Sequence, residues 1–209
     1  MEPIALIAHS PGICPTHQFA SVLPHVKIYL GDGKWRFNSM KITRKKPTVY
    51  LDTTILSSYW YEGSDILALS RRITTREWWD SERSHFSIWV SSVTEDELEA
   101  GTYPHQTDAL DMAQGLRFLP MIVEAKEFAA QLIHKHVVPN SKPGDALQMA
   151  IAAVHRIDYL LTWNYAHLAN PIAQNQLETA CHKADWRSPL LVSPETIPRV
   201  ILGQTIKRK

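Results

Sequence analysis

The run GDALQMAIAAVHRIDYLLTWN, residues 144–164, constrains this chain more than any other stretch. Behind Pro143-Gly144, Asp145 opens an alanine-rich helical pattern with Leu147, Ile151 and Val154 on one face. The pattern passes directly into a short apolar strand, DYLLT, and the apolar character then stops at Thr162, Trp163 and Asn164. A helix feeding a short apolar strand is how a helix-covered parallel sheet is built. The polar ending marks the carboxyl end of that strand, where open α/β sheets carry their chemistry.

The preceding residues repeat the alternation. TVYLD is a β-rich run ending on Asp52. Residues 65–83 place Ile66, Leu69 and Ile73 at helical spacing. HFSIWVS alternates Phe86, Ile88 and Val90 with polar or half-polar positions, a strand signature, and VTEDELEAG starts a helix closed by Gly101. Residues 104–118 put Ala109, Ala113 and Leu116 on one helical face. MIV (121–123) reads as a short strand, 124–136 and 172–183 as helices, and LLVSPETI as a strand and turn. The expected fold is α/β, a three-layer α/β/α sandwich around a mostly parallel sheet.

Before this pattern, residues 1–39 lack sustained periodicity, although HVKIYLGDGKWRF fits a small hairpin around Gly31-Asp32-Gly33. MKITRKKPTVYLD, from Met40, reads like a natural start, so residues 1–39 are either an appended arm or an over-extended start. The expected organisation is a basic extension over 1–46, partly disordered or over-extended, a domain over 47–206 and a basic tail over 207–209. Charge follows these boundaries: +5 over 1–46, −7 over 47–206 and +3 on the tail. An acidic body does not resemble a general nucleic-acid surface, but it suits a carboxylate-lined metal site. No apolar run approaches the roughly 18 residues of a membrane-spanning helix, and two cysteines, Cys14 and Cys181, fit a reducing compartment. The expectation is a cytoplasmic protein.

Four oxygen-bearing side chains stand at strand ends or helix starts: Asp52, Glu97, Asp145 and Asn164. A parallel sheet can bring such positions together. Oxygen donors suit a hard cation, Mg²⁺ or Mn²⁺, able to activate water for phosphodiester cleavage. Each residue also has a plain structural reading. Asp52 and Asp145 are good helix-start residues, Glu97 sits among other acids, and Asn164 suits an Asx turn.

VYLDTTIL, SSVTEDEL and GDALQMAIAAVHRIDYLLTWN together resemble a PIN domain of the VapC-like toxin group, over residues 47–197. The resemblance implies a Mg²⁺- or Mn²⁺-dependent ribonuclease, usually a homodimer, inhibited by a cognate antitoxin. It implies Asp52, Glu97 and Asp145 as metal-holding catalytic acids. The family's fourth catalytic position, often Asp, is Asn164 here, which adds no negative charge, lowers the expected metal affinity and is expected to orient a metal-bound water or hold Asp52 or Asp145 by hydrogen bonding. Thr162 matches the family's strand-end hydroxyl, and Thr54 its small polar residue beside the first acid. The alternative is a catalytically weak or inactive PIN-like module that binds nucleic acid or an antitoxin.

One basic–aromatic cluster interrupts the acidic body: Arg71, Arg72, Arg76, Trp78 and Trp79, with Arg83 nearby. It suits RNA contact, a partner surface or internal packing. His134 and His136 lack helical metal spacing and read as structural. Trp163 reads either as a wall of the site or as core. Residue 54 is Thr, where a haloacid-dehalogenase-like phosphatase needs a second acid. The acidic pair of a receiver domain has no counterpart before Asp52, and no Walker loop or G-x-G-x-x-G is present.

Overall fold

The computed structural model describes residues 25–29, 35–39, 45–198, 200–201 and 204–205. The chain divides into two units, Met1–Lys45 and Lys46–Lys209. In the first, strands β1 (His25–Tyr29) and β2 (Trp35–Ser39) pair antiparallel with His25 opposite Ser39 and Tyr29 opposite Trp35. This is the anticipated hairpin; its connecting residues lie outside the described ones. The expectations of an appended or partly disordered arm and of a tail at 207–209 also fall outside them.

The second unit is built on five parallel strands in the order β5-β4-β3-β6-β7. They are β3 (Thr48–Leu51), β4 (Ser87–Ser91), β5 (Arg117–Leu119), β6 (Tyr159–Leu161) and β7 (Leu190–Val192). Their period of two divides the core between the faces. Tyr50 and Leu160 pack with helices α5 (Val123–His134), α6 (Pro143–Val154) and α7 (Pro171–Lys183). Val49, Leu51, Ile88, Val90 and Leu161 pack on the other face with α1 (Thr53–Tyr59), α2 (Ile66–Ser81) and α4 (Gln106–Gln114). Helix α3 (Ser92–Ala100) joins both clusters through Val93 and Leu98. The architecture is the expected three-layer α/β/α sandwich, with every strand of this sheet parallel. A short ribbon, β8 (Val200–Ile201) with β9 (Gln204–Thr205), adds a pair that the sequence pattern did not signal.

Three local expectations are corrected. Residues 121–123 are not a strand; the edge strand is Arg117–Leu119, in register with Trp89–Ser91. Pro120 follows it immediately and cannot donate a ladder hydrogen bond. Helix α2 does not bury the face predicted by spacing: Ile66 is 84% and Ile73 63% exposed, while Thr75 and Trp78 are buried. Trp78 packs against Phe86, and Thr75 meets Trp163, so two polar-tipped residues make the contact that periodicity assigned to isoleucines. Helix α6 is buried on nearly all sides from Ala146 to Val154, not on one stripe, because its alanines admit close neighbours around the helix. Helices α5, α6 and α7 are followed by non-glycine residues in the left-handed region: His136 (φ 53°), Arg156 (φ 54°) and Asp185 (φ 57°).

Candidate active site

Asp52 follows β3 and occupies the N-cap position of α1, yet its carboxylate does not cap the helix. Its Oδ2 accepts hydrogen bonds from Thr54 Oγ1 (2.6 Å) and, by a very short contact, from Thr162 Oγ1. The backbone N–H of Asp52 donates to the Leu161 carbonyl (3.0 Å), which brings the end of β6 beside the end of β3. Each hydroxyl also accepts from the β6 end: Thr54 Oγ1 from the Trp163 N–H and Thr162 Oγ1 from the Asn164 N–H, both 2.9 Å. Both hydroxyls thus spend their one proton on Asp52. Asp52 is 3% exposed.

Glu97 lies in the second turn of α3, whose start is capped by Ser91. Its Oε2 accepts from Thr53 Oγ1 (2.6 Å) and Gln148 Nε2 (2.8 Å). The rest of the carboxylate lies against Gly144, with Cδ 3.3 Å from where a Cβ on that residue would stand. Burial pushes the Glu97 carboxyl above the usual range. Thr53 and Gln148 oppose this by hydrogen bonding, while Asp52 and Asp145 add to it.

Asp145 sits in the first turn of α6. Asn164 Nδ2 donates to its Oδ1 (3.3 Å) and Oδ2 (3.2 Å), while Asn164 Oδ1 accepts the His167 N–H (3.1 Å). The amide therefore closes a turn and holds Asp145 at once. Its oxygen serves the turn. Burial raises the Asp145 carboxyl, and Asp52 raises it further; His167, Asn164 and Lys142 pull the other way.

The fold thus brings Asp52, Glu97, Asp145 and Asn164 from four segments to the carboxyl end of the sheet. The donor chemistry fits a hard divalent cation: all three acids offer oxygen, and their charges burden one another as an ion would relieve. Among the described residues, no three His, Cys, Asp or Glu side chains form a ready ligand cage. Thr53 and Gln148 hold one Glu97 oxygen.

Three neighbours were missed from the sequence. Thr53 stands between Asp52 and Thr54 and carries no separate signal. Gln148 is three residues after Asp145 in an otherwise apolar helix, spacing that puts the two on one face. It is fully buried, and its Oε1 has no hydrogen-bond partner among the described residues. Gly144 gives Glu97 its space. Trp163 proves to be core: it is 3% exposed and donates Nε1 to Thr75 Oγ1 (2.8 Å).

The basic–aromatic cluster is committed mainly to packing. Arg72 Nη1 donates to the Tyr61 carbonyl (3.0 Å) and Arg76 Nε to the Tyr59 carbonyl (2.8 Å). Arg71 lies over the rings of Trp163 (5.6 Å) and Tyr165 (5.9 Å). Trp78 is buried, and Trp79 lies between Tyr59 and Arg83.

The PIN domain family model matches residues 49–167. Among solved structures, similarity is found to VapC20 of Mycobacterium tuberculosis, a Sarcin-Ricin loop cleaving toxin. Identity is 14% and the TM-score 0.46, covering 57% of this chain and 92% of that one. VapBC2 of Rickettsia felis, bound to a promoter DNA fragment, is 13% identical with a TM-score of 0.40, covering 70% and 98%. FitAcB of Neisseria gonorrhoeae is 12% identical with a TM-score of 0.43, covering 72% and 100%. No curated protein matches. The family assignment rests on the PIN model, which spans more than half of the chain.

Proposed function

This chain belongs to the PIN domain family, and on that premise we propose that it is a divalent-metal-dependent endoribonuclease acting as the toxin of a toxin–antitoxin pair. The observation that carries the reading is that Asp52, Glu97 and Asp145, from three separate segments, lie close enough to bear on one another electrostatically, each held by neutral hydrogen-bond donors. These three acids would hold Mg²⁺ or Mn²⁺. When bound, such a cation lowers the pKa of a coordinated water and neutralises charge on a phosphoryl oxygen.

The protein's own groups do the positioning. Thr54 and Thr162 fix Oδ2 of Asp52 and leave Oδ1 for other work. Thr53 and Gln148 hold Glu97 through Oε2. Asn164 steadies Asp145 through both oxygens without adding charge. Hydrogen bonds of this kind orient metal ligands, and their loss typically costs about 10–100-fold in affinity or activity.

The partners proposed are an RNA substrate, a cognate antitoxin and a second copy of the chain. The exposed Ile66, Leu67 and Ile73 on α2 supply apolar surface for a protein partner. Among the described residues, no helix is long and apolar enough to cross a membrane. Action on cellular RNA implies the cytoplasm.

The test is RNA cleavage by the purified chain with Mn²⁺ or Mg²⁺, against EDTA and an Asp145→Asn variant. Activity that survives both controls sinks the proposal. Binding of RNA or antitoxin without any cleavage would instead make the chain a binding module, the reading favoured by Asn164 in place of a fourth acid. Growth arrest on expression, relieved by the product of a neighbouring small gene, tests the toxin role.

A further inference from the structure

An acidic catalytic cluster repels the polyanion it is meant to cut, so an RNA strand needs a separate surface to reach it. The arginines of α2 are poorly placed for this, since each is engaged with a carbonyl or a ring. A better surface lies beside Asp145. A groove of about 390 Å³ runs between the α5–α6 connection and the start of α7, bordered by His136, Pro139, Tyr165, His167, Ile172 and Gln176. That volume falls in the roughly 300–1,000 Å³ range of small-ligand sites.

Three features match the groove to a nucleotide strand. Its wall is continuous with the candidate active site: the His167 N–H donates to Asn164, whose amide holds Asp145. Its lining carries no acidic side chain, and the adjoining segment is basic. Residues 128–144 carry Lys135 and Lys142 with His134 and His136 and no acid, within a body of net charge −7. Among the described residues neither lysine forms an ion pair, and Lys142 is close enough to bear on Asp145. The nearby Glu195 accepts the Tyr165 hydroxyl at 3.1 Å, fixing that ring. Finally, the lining combines apolar surface with unspent polar edges. Pro139 and the 73%-exposed Ile172 are apolar, whereas the side chains of His136, His167 and Gln176 make no hydrogen bond to another described residue. A nucleobase has this character, with flat apolar faces and hydrogen-bonding edges, and aromatic walls favour its stacking.

We propose that this groove binds the single-stranded RNA flanking the scissile phosphate, with one base against Tyr165 and His136 and the backbone drawn in by Lys142 and Lys135. The proposal rests on the ribonuclease reading, but its test does not require cleavage. The full chain is titrated in EDTA with a fluorescently labelled 12-nucleotide single-stranded RNA, and anisotropy gives Kd. A His136→Ala/Lys142→Ala/Gln176→Ala variant should weaken binding about tenfold or more, with an unchanged melting midpoint showing that it folds. An Arg72→Ala variant should change Kd less than twofold. A 4-thiouridine-substituted RNA should photocrosslink to peptides containing Tyr165 or His136.

Unchanged affinity in the triple variant, crosslinks confined to α2, or no RNA binding by the parent chain overturns the groove. So does a groove that takes only an antitoxin peptide. If the parent cleaves RNA while the triple variant binds as before, the groove fails and the nuclease stands. If RNA crosslinks in the groove but is never cut, the groove stands and the nuclease fails.

Discussion

The carboxylate of Glu97 fills the space that a side chain on residue 144 would need, with its Oε1 overlapping the position of an added Cβ and its Cδ 3.3 Å from it. A glycine at the start of α6 and an acid on α3 therefore share one volume. The backbone of Gly144 needs no left-handed freedom; only its missing Cβ matters.

Gly144→Ala should thus act on the site more than on the fold. The obstructing atoms are the far end of a flexible side chain, so Glu97 can swing away, at a stability cost of no more than about 1–2 kcal/mol. It would then lose Thr53 and Gln148. Cleavage should fall about 10–100-fold, as displacements near 1 Å can do, while the denaturation midpoint changes little.

Gln148→Leu separates the same two effects from the other side. It removes a buried acceptor that has no partner among the described residues and a donor that Glu97 uses. The two changes oppose each other in stability, leaving a net change within about 1 kcal/mol. Glu97 loses a hydrogen bond that favours its ionised form, so its pKa should rise further. The acidic limb of the pH–rate profile should move to higher pH; an unmoved limb would show that Gln148 does not tune Glu97.

Asn164→Asp replaces a donor to Asp145 with a like charge, while an Asp oxygen can still accept the His167 N–H. In EDTA the variant should be less stable by about 1–3 kcal/mol. Mn²⁺ should raise its melting midpoint by more than it raises that of the parent, because a fourth carboxylate gives the ion more charge to neutralise.

The metal-free chain should also show a signature in pH. Glu97 and Asp145 both have carboxyls raised in the fold, chiefly by burial, so the folded state holds their protons more tightly than the unfolded chain does. Their ionisation opposes folding above the raised values. This penalty disappears as pH falls to the ordinary carboxylate range. A Glu97→Gln/Asp145→Asn variant in EDTA should therefore melt a few degrees above the parent at neutral pH. The difference should shrink toward zero as pH falls through that window, and a pH-independent difference would assign it to packing instead.

Local sequence was sufficient for most of the alternation of strands and helices, and for the addresses of Asp52, Glu97, Asp145 and Asn164. Strand period, helix period and strand-end position are properties of neighbouring residues, so they can be read from one stretch at a time. Only the tertiary structure decided which groups those side chains face. It turned Asp52 from its helix toward Thr54 and Thr162, gave Glu97 to Thr53 and Gln148, and spent the Asn164 oxygen on the His167 N–H. It also put Thr75 and Trp78, rather than Ile66 and Ile73, on the buried side of α2. Contacts such as Thr162 to Asp52 span 110 positions. Their partners are fixed by the order and register of the parallel strands, which no local pattern encodes.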